Sequence, residues 1–234
     1  VPRTLFITGT DTEVGKTFVT AALLHAFSRH GLRTIGLKPV AAGCEMSSDG
    51  LVNDDALTLQ RYATVRLPYA QVNPVALEEP IAPHIAAQRQ GKSLSLPRLS
   101  GLCRGTLMTP HDISLVEGAG GWLVPLNPRE MLSDLAMELR APVILVVGLK
   151  LGCLNHALLT AEAIQRRGVP LAGWIGNQCQ SVPMSGLKEN LDTLSGGIKA
   201  PCLGVLPFAK SPEDEAVQSA LRIGTLIPPD SSAG

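Results

Sequence analysis

Apolar residues recur along this chain in two alternating rhythms. Short continuous runs read as strands: Leu5-Phe6-Ile7, the stretch from Arg33 to Val40, Ile113 to Glu117, Ala141 to Gly148, Leu171 to Gln178, and Pro201 to Pro207. Between them the spacing changes to that of a helix. Val19, Ala22, Leu23, Ala26 and Phe27 fall on one apolar face, and Gly31 stands where a helix C-terminal glycine belongs. Further helices are predicted from an Asn53 or Asp54 N-cap, over His84–Gln90, Leu94–Met108, Asn155–Arg167 and Glu213–Leu221. Ala41 to Leu51 reads as a polar loop. Pro68, Pro74, Pro80 and Pro83 mark an extended crossing segment. The run from Ala141 to Gly148 is apolar enough to be central and buried on both faces. Strands alternating with helices predict an α/β fold: a mainly parallel sheet flanked by helices on both faces, one domain over residues 1–227 with a loose tail at 228–234.

Composition narrows the class. Of 234 residues, 45% are apolar but only 3% aromatic, so the core is built from Leu, Val, Ile and Ala. The formal net charge is zero, which argues against nucleic acid or an acidic membrane surface as the main partner. Five scattered cysteines with no C-x-x-C pair predict neither a disulfide framework nor a zinc site, and fit a reduced, cytoplasmic protein. The chain enters its first strand almost at once, so no signal peptide is expected. The longest apolar run, Val143 to Leu149, is far short of the ~20 residues a membrane helix needs.

Candidate chemistry collects at strand ends. Strand, loop, Gly15-Lys16-Thr17, helix is the context of a phosphate-binding loop. Free N–H groups at the helix start favour an anion. Lys16 is placed to reach the β/γ-phosphates, and Thr17 can give its hydroxyl to Mg²⁺. The spacing departs from the usual at Thr10, where a glycine is common; here Gly9 precedes it. Lys38 lies at the C-terminal end of the second strand, on the edge where parallel sheets meet ligands. Glu117 ends a buried strand and is followed by Gly118-Ala119-Gly120-Gly121, glycines that let backbone N–H groups approach an anion. An acid there orients Mg²⁺ in phosphate-loop NTPases, and Asp55 is a possible second carboxylate. A second lysine beside the γ-phosphate suggests an acceptor that is itself anionic. Gly152, before the helix at Asn155, marks a second candidate anion site, and Asn177 could read a purine edge.

GTDTEVGKT, GLKPVAAG, NDDAL, EPIAPHIAA, LVEGAGGWLVPL, PVILVVGLKLGCLNHALLT and LAGWIGNQ, in this order over nearly the whole chain, resemble the dethiobiotin synthetase family of phosphate-loop NTPases. The resemblance implies an ATP- and Mg²⁺-dependent enzyme that makes the ureido ring of dethiobiotin from 7,8-diaminononanoate and CO2, through a carbamate that ATP phosphorylates. It implies that Thr12, Glu13, Gly15, Lys16 and Thr17 form the phosphate loop, that Val14 and Phe18 also bind the nucleotide, and that Thr12, Lys16 and Lys38 are catalytic. Thr17, Asp55 and Glu117 would hold the metal. Gly118, Ala119 and Gly120 would lie beside nucleotide and substrate. Asn177, Gln178, Pro207, Phe208, Ala209 and Glu213 would surround the base. The family is a homodimer with substrate at the interface; Lys38, Ala42 and Gly118 would face it, with Gly152, Cys153, Leu154 and Asn155 of the second copy receiving its carboxylate. Ala42 departs from a substrate-contacting serine in the family, and Gln178 from a frequent Asp.

A reading from another class is a MinD/ParA-type switch ATPase acting through protein partners. Such proteins carry a signature lysine early in the loop, where this chain has Asp11, and tend to show a basic or amphipathic surface segment, which is absent from this sequence. A small-molecule kinase would lack the GAGGW and LGCLNH stretches.

Overall fold

A computed structural model describes residues 2–48 and 50–227. The expected tail at 228–234 lies outside the described residues. The chain runs β1 (Arg3–Gly9), α1 (Lys16–Arg29), β2 (Thr34–Leu37), β3 (Val40–Ala41), the hairpin β4 (Glu45–Ser47) and β5 (Gly50–Val52), α2 (Asp54–Tyr62), α3 (Tyr69–Val72), β6 (Val75–Ala76), α4 (Pro83–Arg89) and α5 (Leu96–Leu107). It continues through β7 (Ile113–Glu117), α6 (Asp134–Glu138), β8 (Val143–Gly148), α7 (Cys153–Arg166), β9 (Leu171–Asn177), α8 (Leu187–Gly197), β10 (Cys202–Leu206) and α9 (Glu215–Ala220).

Among the described residues the main sheet has six strands in the order β10-β9-β8-β1-β7-β2, and every pairing is parallel. Alternate residues of the inner strands serve opposite faces, as a pleated backbone requires. Leu5, Ile7, Ile144 and Val146 pack with α1 residues Val19, Leu23 and Phe27 and with Val217 of α9. On the other face Phe6 and Val116 pack with Leu99 of α5 and Leu135 of α6, while Leu145 and Val147 meet Ala157 of α7 and Leu194 of α8. Both faces being covered, β8 is buried along its whole length, as its unbroken apolar run predicts.

Register brings the strand ends together. Ile7 pairs with Glu117, and Leu37 pairs with Val116. Lys38, one step beyond Leu37, therefore stands beside Glu117, and the loop after β1 opens next to both. In open parallel sheets this carboxyl edge is where ligands sit.

Several local expectations need correction. The second strand does not run to Val40. Pro39 has no N–H to continue the ladder; the Lys38 N–H donates instead to the Val72 carbonyl at 2.8 Å. Val40–Ala41 then pairs with Val75–Ala76 in a separate small sheet. The polar loop holds the β4–β5 hairpin, turned near Gly50 at φ 105°. The proline-rich stretch is not wholly extended: α3 forms one turn directly after Pro68. Helices α6 and α8 have no counterpart in the sequence reading. Leu187, Leu191 and Leu194 of α8 are helically spaced, but the helix runs into Gly196-Gly197, poor helix formers. Helix α1 buries Thr20, Ala21 and Leu24 as well as the expected face, because α2 and α9 pack against its other sides. Its end is as expected: Gly31 adopts φ 76°, and the Leu32 N–H reaches back to the Phe27 carbonyl at 3.2 Å.

Candidate active site

The loop between β1 and α1 is tightly folded, and Gly9 explains how it tolerates Thr10. A Cβ on Gly9 would come within 2.7 Å of Val14 Cγ2 and 2.9 Å of the Asp11 carbonyl oxygen. The close approach commonly made through a glycine one residue later is made here. Glu13 and Gly15 both have left-handed backbones, φ 59° and 82°, and Gly15 is the N-cap of α1. Gly15 also lies under Asn177, whose Nδ2 would be 2.2 Å from an added Cβ. Thr12 sits beside the glycine turn after β7: its Oγ1 is 3.8 Å from where a Gly120 Cβ would be.

Glu117 is fully buried and stands at the centre of a polar cluster. Its Oε1 accepts from Thr17 Oγ1 at 2.8 Å and from Lys38 Nζ at 2.7 Å. Its Oε2 accepts from Thr20 Oγ1 at 2.6 Å. Lys38 Nζ also donates to Asp55 Oδ2 at 2.8 Å and to the Gly118 carbonyl at 3.3 Å. Burial would lower the Lys38 pKa, yet Glu117 and Asp55 overcome it and hold the ammonium above its ordinary value. Burial would raise Asp55, yet the Lys38 charge, with help from Thr17, keeps its carboxyl below the usual range.

Lys16 is different. Its Nζ folds back onto the Asp11 carbonyl at 3.1 Å. Desolvation and then the neighbouring Lys38 charge lower its pKa, against the pull of Glu117, Asp55 and Asp11. Lys16 thus feels the Lys38 charge and both of the carboxylates that Lys38 binds. An arriving anion would relieve both the burial and the repulsion at Lys16.

A relay of hydrogen bonds fixes Lys38 relative to Asp55. Buried Asn73 donates Nδ2 to the Lys38 carbonyl at 2.7 Å and to the Val75 carbonyl at 3.2 Å, and accepts from Tyr69 Oη at 3.0 Å. Tyr69 Oη accepts in turn from the Asn53 N–H at 2.8 Å. Asn53 is the N-cap of α2, accepting from the Asp55 N–H at 3.1 Å. Asn73→Ala takes the side-chain donor from the Lys38 carbonyl and the acceptor from the Tyr69 hydroxyl. It is expected to lower unfolding free energy by about 1–3 kcal/mol, checked by denaturant titration. Sequence reasoning missed Tyr69, Asn73 and Thr20; their roles depend on partners far along the chain.

A second hollow of about 240 Å³ adjoins the loop, lined by Glu13, Gly15 and Phe18 on one side and by Asn177, Gln178, Pro207, Phe208 and Ala209 on the other. Cys179 also lines it and was not anticipated. Asn177 is nearly buried and donates Nδ2 to the Val14 carbonyl at 3.0 Å, so it fastens β9 to the loop. Glu213 is exposed in the turn before α9 and does not line this hollow. Ala42 lies beside the α2 cap, its carbonyl 3.4 Å from Asn53 Nδ2. Gly152, Cys153, Leu154 and Asn155 open α7, with Gly152 at φ 93°, Cys153 buried, and Leu151 just before them 94% exposed. Among the described residues no hydrogen bond joins this helix start to the Lys16–Lys38–Glu117 cluster.

Two carboxylates and a hydroxyl around an internal cation are hard oxygen donors, the kind an alkaline-earth ion takes when other ligands complete its shell. Among the described residues no group of three or more His, Cys, Asp or Glu could hold a metal alone.

A family model described as an AAA domain matches residues 3–216. The ATP-dependent dethiobiotin synthetase BioD of Cellvibrio japonicus is 53% identical over 225 residues, covering 96% of this chain and 98% of the relative. The protein of the same name from Marinobacter nauticus is 50% identical over 219 residues, 94% of each chain. Among solved structures, the septum site-determining protein MinD complexed with Mg-ADP from Pyrococcus horikoshii OT3 aligns with a TM-score of 0.54 at 18% identity, over 94% of this chain and 87% of that one. At that identity the likeness is one of fold alone.

Proposed function

The chain belongs to the ATP-dependent dethiobiotin synthetase family, and from that premise we propose how its residues divide the reaction. The enzyme is an ATP-dependent cyclo-ligase. One amine of 7,8-diaminononanoate attacks CO2, forming an N–C bond and losing a proton. A carbamate oxygen attacks the γ-phosphorus of ATP and ADP leaves. The second amine attacks the carbamoyl carbon and loses a proton, phosphate leaves with that oxygen, and the ring closes.

Thr12, Glu13, Val14, Gly15, Lys16 and Thr17 cradle the phosphates, and Lys16 releases the Asp11 carbonyl to meet them. Phe18, Asn177, Gln178, Pro207, Phe208 and Ala209 bound the base, with Glu213 nearby. Thr17, Asp55 and Glu117 hold Mg²⁺, which when bound neutralises phosphate charge and aligns the γ-phosphoryl group. Lys38 grips the carbamate and the γ-phosphate together. Gly118, Ala119, Gly120 and Ala42 border the substrate. Residues 1–227 act as one α/β domain. The working unit is a homodimer in the cytoplasm, with the substrate carboxylate received at the second copy's α7 start. No described helix is long and apolar enough to cross a membrane.

The observation that carries the reading is Lys38, whose ammonium lies 2.7 Å from Glu117 and 2.8 Å from Asp55, with the Lys16 charge acting on the same group of side chains. A switch ATPase carries its second lysine early in the loop, where this chain has Asp11; here it comes from the end of the second strand, where it can hold an anionic acceptor. The test is ADP release with bicarbonate and ATP, with and without the diamine. Release that requires the diamine and yields dethiobiotin is expected; release indifferent to it would favour the switch ATPase.

A further inference from the structure

We propose that Thr20 is a positioning residue for the metal-binding carboxylate: its hydroxyl pins one oxygen of Glu117 so that the other faces the nucleotide. This rests on the assignment of Glu117 and Thr17 to Mg²⁺ made above.

Thr20 is fully buried on α1, one helical turn beyond Lys16. Its Oγ1 lies 2.8 Å from the Lys16 carbonyl and 2.6 Å from Glu117 Oε2. A threonine hydroxyl has one proton, and both of these neighbours only accept. The charged, closer oxygen takes it, because charge-assisted O–H···O⁻ bonds are the shorter and stronger ones. Back-bonding to the preceding turn is common for a helical threonine and explains the first contact. It does not explain the second.

The two oxygens of Glu117 are thereby assigned separate tasks. Oε2 is tied inward to α1. Oε1 is left to Thr17 and Lys38, at 2.8 and 2.7 Å. The terminal torsion of a glutamate is broad, so the plane of an untethered carboxylate could swing away from Thr17 and Lys38. With Thr20 in place, the carboxylate plane is held at the setting that satisfies α1, Thr17 and Lys38 together, half-turns being equivalent. The same helix then supplies Thr17 and the tether, one turn apart, which fixes the separation of the two metal-side oxygens before any ligand arrives.

Thr20→Val keeps the shape and removes the donor; Thr20→Ser keeps the donor and removes a methyl group. The experiment titrates ADP into each protein by calorimetry, with and without Mg²⁺ and with no diamine present. Loss of an outer partner of a metal ligand commonly costs 10- to 100-fold in metal affinity or activity. For Thr20→Val the Mg²⁺-dependent gain in ADP affinity is expected to fall by about that factor, with metal-free ADP affinity unchanged. Thr20→Ser is expected to restore the gain. A Thr20→Val protein with the wild-type Mg²⁺ dependence overturns the proposal, as does a Thr20→Ser protein that loses it equally. If Thr20→Val does not fold, Thr20→Ala is read against Thr20→Ser by the same two outcomes. Because no diamine is used, failure of the wild-type protein to make dethiobiotin would sink the proposed reaction and leave this result standing.

Discussion

Lys16→Ala is expected to slow dethiobiotin formation by roughly 10²- to 10³-fold, about 3–4 kcal/mol of transition-state stabilisation, the usual cost of removing one preorganised donor. The same change should leave the empty protein no less stable. Among the described residues the ammonium makes one hydrogen bond, 3.1 Å to the Asp11 carbonyl, and burial plus the Lys38 charge disfavour it, lowering its pKa. Removing it deletes a repulsion between two buried cations. The effect is thus two-signed: turnover collapses while the melting temperature holds or rises. Single-turnover kinetics with saturating diamine, paired with thermal unfolding, reads both. An unchanged rate would remove Lys16 from the phosphate loop. A rate loss that merely tracks a loss of folded protein would mean that Lys16 is structural.

Why some of this site was legible in the sequence, and some not, has a physical basis. Lys16, Thr17, Lys38 and Glu117 each end or follow an apolar run, and a parallel sheet puts all such ends on one edge. Asp55 was legible because Asn53 caps α2 through local bonds. The order of strands was not legible. β7 inserts between β1 and β2 although far later in the chain, and only that insertion puts Glu117 within reach of both Thr17 and Lys38. Thr20 escaped notice for the same reason: a threonine inside an apolar helix face looks like filler until its neighbour across the sheet edge is known. Asn177 was readable as a strand-end amide, but its target, the Val14 carbonyl, was not. The short elements β3, β6 and α3 are held by long-range bonds such as Lys38 N–H to Val72 and Cys44 N–H to Leu77, which leave no periodicity to read. The whole-chain resemblance supplied what spacing could not, namely the identity of the anionic acceptor.

Lys38→Ala should do more damage than Lys16→Ala to the empty protein and should respond to Mg²⁺ in a way Lys16→Ala does not. Lys38 neutralises two carboxylates of unequal burial. The Asp55 side chain is 43% exposed, so its share of the pair is screened and adds little. Glu117 is fully buried, and stripping its cation leaves an uncompensated charge, which costs about 3–5 kcal/mol. For a chain of this size that is a fall on the order of 10 °C in Tm. Thr17 and Thr20 still hold Glu117 but carry no charge. Mg²⁺ with ADP would restore the missing positive charge at the same two oxygens. Added Mg·ADP should therefore raise the Tm of Lys38→Ala by more than it raises that of the wild type, where the ion must first displace the ammonium. Turnover should nevertheless stay at least 10²-fold down, since the carbamate loses its grip on the γ-phosphate, while nucleotide affinity is spared. Lys38→Met, which fills the space without charge, should behave like the alanine variant, so that lost packing is not the cause. Equal losses in nucleotide affinity and turnover would mean Lys38 serves ATP alone. A Mg²⁺ response no larger than wild type would mean that Asp55 and Glu117 are not the oxygens the ion takes.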